Sequence, residues 1–130
     1  MYTFKKEERL CNKRLLKKLF TDGSSFLVYP FRVVHIPEIL PGNYPVQVVV
    51  AVPKRKFKKA VDRNLLKRRI REAYRLHKDA LLYPVLNQHN TRIMLSLSYI
   101  GNEIADYKVI EKKLLAVLKQ LQKAYDKVDI

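Results

Sequence analysis

The chain has 130 residues, 27 Lys and Arg against 12 Asp and Glu, and a formal charge of +15, with nearly half its residues hydrophobic. That length fits one domain with one core, and that apolar content excludes a disordered basic tail, so the positive charge decorates a folded body and predicts an anionic partner, most naturally nucleic acid. The single cysteine, Cys11, excludes an internal disulfide framework and a cysteine-paired zinc knuckle.

The opening residues carry charges where a signal peptide needs an apolar run, and no later stretch approaches a spanning length, so a cytoplasmic protein without membrane contact is expected. Asn12 is placed to cap a first helix whose Leu15, Leu16, Leu19 and Phe20 form one apolar side, while Lys13, Arg14, Lys17 and Lys18 make the other side basic. Asp22 and Gly23 supply its stop, with Gly23 expected in the left-handed conformation. Phe26 to Tyr29 reads as a short strand ended by Pro30, Phe31 to Ile36 as a strand, Pro37 to Pro45 as a loop, and Val46 to Val52 as a buried β-branched strand. The second and third of these strands, joined by a short loop, are expected to be antiparallel neighbours.

Pro53 closes the third strand, and a basic segment, Lys54 onward, leads into a helix predicted from about Ala60 to Leu82, before Tyr83 and Pro84. At about 100° per residue, Leu66, Ile70, Ala73 and His77 form a narrow buried stripe. Opposite lie Asn64, Arg68, Arg71 and Arg75, flanked by Lys67 and Lys78. Glu72 is the only acid between Arg63 and Lys78, so the repulsion along this face is scarcely relieved by acids in helical register. Arg92 to Tyr99 is the next strand. A final helix starts near Asp106, a natural N-cap, and carries the apolar stripe Ile110, Leu114, Val117, Leu118, Leu121 and Tyr125. The expected fold class is α+β, an α/β sandwich in which a small mixed sheet packs with three helices.

Self-sufficient nuclease chemistry needs convergent carboxylates or a histidine pair. His35, His77 and His89 fall in a strand, on a helix stripe and in a loop, and the acids are equally dispersed; the three glycines, Gly23, Gly42 and Gly101, form no phosphate-cradling loop. The residues alone therefore point to phosphate binding, through guanidinium and ammonium groups at helical spacing, and leave the identity of the polyanion open. Most of the aromatic residues are expected in the core. Phe20, Phe26, Tyr29, Phe31 and Phe57 cluster near the helix–sheet junction, where some could stack on unpaired bases.

Residues 56–72 read Lys-Phe-Lys-Lys-Ala-Val-Asp-Arg-Asn-Leu-Leu-Lys-Arg-Arg-Ile-Arg-Glu. This string closely resembles the signature of the protein component of bacterial ribonuclease P. The run from Leu15 to Gly23 is similar to that family's first helix, and Pro30 to Val34 to its following strand. Leu65 stands where the family's Arg-Asn-Arg triplet has its second arginine, Lys58 replaces a common glycine, and Leu16 replaces a frequent phenylalanine, leaving Phe20 as the cleft aromatic. The resemblance implies an α/β sandwich with a left-handed β-α-β crossover. It also implies a protein subunit that assists a catalytic RNA in removing the 5′ leader of precursor tRNA, with Mg2+ held mainly by the RNA subunit and substrate. On that footing the expected RNA-docking residues are Lys54, Arg55, Lys56, Arg63, Asn64, Lys67, Arg68 and Arg71. Lys13, Lys17, Phe20, Phe31 and Phe57 are the expected leader-binding cleft, and the protein itself is expected to be monomeric. A ribosomal or other structural RNA-binding protein is the alternative, and a DNA-compacting protein comes third.

Overall fold

The computed structural model describes residues 4–40 and 42–126. After a short 3₁₀ turn at Lys6–Glu8, the elements run α1 (Lys13–Asp22), β1 (Ser24–Val28), β2 (Phe31–Pro37), β3 (Val46–Ala51), α2 (Ala60–Leu81), α3 (Tyr83–Gln88), β4 (Ile93–Tyr99) and α4 (Tyr107–Tyr125). The four strands form one mixed sheet in the order β1-β2-β4-β3. β2 pairs antiparallel with β1 and β4, whereas β3 runs parallel to β4. The architecture is α+β, as expected, but β2 and β3 are not neighbours: β4 lies between them. A parallel pair needs a crossover, and α2 with α3 supplies it between β3 and β4, so the fourth strand displaces the hairpin that the short 37–45 loop suggested.

Strand alternation assigns the two faces of the sheet. Phe31 and Val33 of β2, Val46, Val48 and Val50 of β3, and Ile93, Leu95, Leu97 and Tyr99 of β4 face α2, α3 and α4 in the larger core. Val34 and Met94, with the partly buried Ile36 and Val49, face α1 in a smaller one completed by Leu10, Leu19 and Leu40. Helices therefore cover both sides of the sheet. On α4, Ile110, Leu114, Val117, Leu118 and Leu121 of the expected stripe are wholly buried, and its last member, Tyr125, is half-buried. Asp106 occupies the N-cap position through its carbonyl, which accepts from Ile110 N at 3.1 Å, and its carboxylate makes no cap bond.

Three local features differ from expectation. Gly23 is extended, with φ −72° and ψ 152°, because it serves close approach instead of a left-handed turn: a Cβ there would stand 2.4 Å from Leu19 O and 2.7 Å from Val34 Cγ1. A fourth helix, α3, begins at Tyr83 because Pro84 in its first turn needs no intrahelical donor. The buried side of α2 is Leu66, Ile70, Ala73, Tyr74 and Lys78, so His77 is displaced to a half-buried position and Lys78 lies inside. His77 Nε2 instead meets Glu111 Oε2 of α4 at 3.0 Å, and Tyr107 OH donates to the same oxygen at 3.2 Å.

Lys78 is buried because it has a partner distant in sequence. Its ammonium pairs with the carboxylate of Glu8, which also accepts from Tyr83 OH and, at 2.6 Å, from Lys5 N. Both charged side chains are at most 1 % exposed. The pair fixes the segment Phe4–Leu10 across α2, and Leu10 N donates to Val48 O at 2.8 Å to hold the segment along the outer edge of β3.

Candidate nucleic-acid interface

Helix α2 spans 22 residues, about 33 Å, and its outward side presents Asn64, Arg68 and Arg71 fully to solvent, with Lys67 half-buried beside them. The one acid in their midst is already engaged: Glu72 accepts from Arg75 at 2.5 and 3.1 Å. That hydrogen bond holds the Glu72 carboxyl below the usual carboxylate range. The face thus keeps Arg68 and Arg71 unneutralised. Arg9 of the N-terminal segment joins them, its guanidinium 5.1 Å from the centre of the Phe4 ring, which packs edge-on to Tyr74 at 5.6 Å. Together these residues line an open concavity of about 460 Å3. Arg9 was not among the expected residues; its register along β3 depends on the Glu8 to Lys78 contact, which no local pattern signals.

The segment leading into α2 spends part of its charge on itself. Lys59 at the N-cap offers no side-chain acceptor, and Arg63 Nη1 ties the preceding turn by donating to the carbonyls of Phe57 at 2.7 Å and Lys58 at 2.9 Å. Lys56 Nζ donates to Ile100 O at 2.5 Å, and Arg69 Nη1 to Ala105 O at 2.6 Å. Lys54 is exposed. Arg55 turns away from the α2 face and lines a cleft on the α1 side of the sheet.

That cleft exists because α1 is short. Ten residues cover about 15 Å, so α1 roofs Val34 and Met94 but leaves Arg32, Ala51 and Ser98 of the same sheet face open. The cleft, about 370 Å3, is lined by Phe20, Ser25, Arg32, Arg55, Ser98 and Tyr99 among others, with no acid in its wall. Phe20, at the last turn of α1, is 57 % exposed. Lys13 and Lys17, both exposed, share its helix face at seven and three residues' separation. Tyr99 OH donates to Glu103 O at 2.6 Å, and burial raises its hydroxyl pKa. Phe31 and Phe57 do not open into this space. Their rings pack at 6.1 and 5.9 Å from that of Tyr99, and both are buried in the larger core, so neither is a stacking surface for the cleft. The expected cleft group therefore divides: Phe20 lines the cleft, Lys13 and Lys17 are exposed along α1 outside its lining, and Phe31 and Phe57 belong to the larger core. The cleft combines one exposed ring, guanidinium groups and hydroxyls, which suits an unpaired phosphodiester strand. Among the described residues, no group of three or more His, Cys, Asp or Glu side chains converges as a metal site requires.

The family model for ribonuclease P matches residues 4–122, which takes in both surfaces. The chain belongs to the ribonuclease P protein family. Among curated relatives, the ribonuclease P protein component of Porphyromonas gingivalis strain W83 is 35 % identical over 112 residues, covering 84 % of this chain and 79 % of its own. That of Petrotoga mobilis is 33 % identical, covering 92 % and 96 %. Among solved structures, the ribonuclease P protein from Thermotoga maritima superposes with a TM-score of 0.69 at 24 % identity over 87 % of this chain and 96 % of that one. The Staphylococcus aureus ribonuclease P protein gives 0.66 at 23 % over 87 % and 94 %. At such identities the structural likeness speaks for the fold. Membership places this ribonuclease P family chain in the ribonuclease P enzyme and in tRNA processing. No helix among the described residues is long and apolar enough to cross a membrane.

Proposed function

We propose that this protein docks on the catalytic RNA of ribonuclease P through the outward face of α2 and holds the 5′ leader of precursor tRNA in the cleft under α1. The observation that carries this reading is the placement of two surfaces with unneutralised cations on opposite sides of one sheet. On one side stand Asn64, Arg68 and Arg71 with Arg9; on the other, Arg32, Arg55 and Phe20. The basic loop at Lys54 to Lys56 links them, so one small body can touch two polyanions at once. Lys67 extends the α2 surface, and Lys13 and Lys17 extend the cleft. Arg63 and Lys56 support the docking surface by fixing backbone, and Phe31 and Phe57 act on the cleft only by packing against Tyr99 in the core.

RNA and substrate repel each other, and a protein of charge +15 between them lowers that cost. In this reading the Mg2+ ions that leader removal uses are held mainly by the RNA subunit and the substrate, through phosphate oxygens. The protein's own part is to bind and orient.

The test is leader cleavage of a precursor tRNA by a bacterial ribonuclease P RNA at low magnesium, with and without the protein. Cleavage that needs both components is expected. Cleavage by the protein alone would refute the division of labour, and no stimulation by folded protein with a compatible RNA would favour a purely structural RNA-binding role. If about six phosphates are neutralised, log affinity for the RNA should fall with log salt at a slope on the order of −4 to −5. Arg68→Ala should weaken docking by roughly 1–3 kcal/mol. Unchanged affinity in that variant would remove Arg68 from the interface.

A further inference from the structure

Helix α4 carries a third positive surface, separate from the α2 face and the cleft. Lys108, Lys112, Lys119 and Lys123 are all exposed. They fall within about 60° of one another around the helix, directly opposite the buried stripe centred on Leu114 and Leu121. The row is about 22 Å long. Its only acid in the helix, Glu111, points the other way, toward His77 and Tyr107.

Ordinary helix energetics does not account for this arrangement. Lys108 with Lys112, and Lys119 with Lys123, are like-charge pairs four residues apart, each unfavourable, and the nearest acid in phase with them is the C-cap Asp126, next to Lys123 alone. Lys108 also lies in the first turn, where the helix dipole disfavours a cation; only Lys123, in the last turn, is favoured by it. The stripe is separate from the α2 arginines. Helical phase turns Arg68 and Arg71 toward the N-terminal segment, while Glu111 lies on the side of α4 that meets His77 of α2.

We propose that the lysine stripe of α4 is a third nucleic-acid surface, contacting the phosphate backbone of double-stranded RNA without reading sequence. A single strand is held by stacking on exposed rings, and this face offers none. The two tyrosines of α4 turn inward, Tyr107 to Glu111 and Tyr125 to a 2.6 Å hydrogen bond with His35 Nδ1. A duplex needs only cations at fixed spacing, because its readable groove is recognised through shape, phosphate and hydroxyl contacts. An anionic membrane has similar charge but also requires a wide apolar face to insert; the apolar stripe of α4 is buried in the core, and Val109 is the one large apolar side chain that the helix exposes among the described residues.

The test uses the full chain and a fluorescently labelled RNA duplex of roughly 16 base pairs, titrated between ~50 and ~200 mM salt. Lys112→Gln with Lys119→Gln should lower duplex affinity roughly tenfold or more and make the log–log salt slope shallower by about 1.5. The pair Lys108→Gln with Lys123→Gln should behave likewise, and both variants should keep the parental thermal melt. Wild-type affinity and slope in both folded variants would overturn the proposal. Binding to phosphatidylglycerol vesicles that is lost in the variants, with duplex binding unchanged, would overturn it in favour of a membrane surface. Arg68→Ala with Arg71→Ala reports separately on the α2 reading: that variant should lose affinity for ribonuclease P RNA whatever the α4 stripe does.

Discussion

Lys78→Met tests whether the N-terminal segment is fastened by the buried ion pair. Met roughly preserves the volume of the aliphatic stem, so the change removes the ammonium while leaving the cavity filled. Glu8 then keeps its donors from Tyr83 OH and Lys5 N but loses its countercharge in a site with no exposed surface. Breaking a buried pair from one side costs about 3–5 kcal/mol. With about 2.1 cal/mol/K of unfolding entropy per residue, a 130-residue chain should lose roughly 11–18 °C in Tm. The double variant Glu8→Leu with Lys78→Met leaves no orphaned charge and should recover much of the loss, giving a coupling of about 2–3 kcal/mol in a double-mutant cycle. The assay is a circular dichroism melt of the four proteins, followed by ribonuclease P RNA binding at a temperature where all are folded. Loosening the segment should also weaken binding, because Arg9 and Phe4 ride on it beside Arg68 and Arg71. A Tm within about 4 °C of wild type for Lys78→Met, or a double variant as unstable as the sum of the singles, would refute the reasoning.

Ile70→Asp places a charge on a fully buried position of α2 and should cost at least about 4 kcal/mol, seen as loss of the cooperative melt at ambient temperature. Gly23→Ala meets Leu19 O and Val34 Cγ1 and should destabilise by about 1–3 kcal/mol in urea unfolding, while also shifting Phe20 at the cleft rim. His35 titrates below its ordinary value of 6.5 because burial disfavours its charged form, so the unfolded chain binds more protons at that site just below this pH. Its contribution is therefore present above about pH 6.5 and lost as pH falls; melts between about pH 7 and pH 5 should show a smaller decline for His35→Gln than for the wild type.

Where one periodicity decides burial, the sequence was sufficient: α4 buries the residues its pattern marks, and Asn12 caps α1 by accepting from Arg14 N and Leu15 N at 2.9 and 3.2 Å. Legibility ends where a residue's environment is made by something distant. Lys78 has the phase of a flanking cation and becomes core only because Glu8, 70 residues earlier, reaches it. Strand order likewise depends on a crossover of more than 40 residues, which the loop between β2 and β3 cannot report. Phe31 is different. Its alternation with Val33 already marks it as facing the larger core, so its burial was available from the strand pattern, whereas Phe57 sits in a turn without any period.

The cleft follows from where α1 stops. Gly23 lets the chain double back tightly enough for β1 to begin at the next residue, and its N–H closes the helix on Leu19 O at 2.9 Å. A longer α1 would continue over Arg32, Ala51 and Ser98, the uncovered part of the sheet face that now forms the floor and wall of the cleft. Ending there also places Phe20 in the final turn, its ring over the opening instead of against Val34, where Leu19 already fills the space. The basic loop is constrained in the same way from the opposite strand end. Pro53 ends β3 beside the cleft, Arg63 and Lys56 pin the loop's backbone, and the side chains left without such duty, Lys54 and Arg55, are those able to meet a phosphate. Charge count alone could not separate these cations into structural and available ones. Their hydrogen bonds do: within the expected docking group, Lys56 and Arg63 are tied to backbone carbonyls, whereas Lys54, Arg55, Asn64, Lys67, Arg68 and Arg71 make no such bond among the described residues.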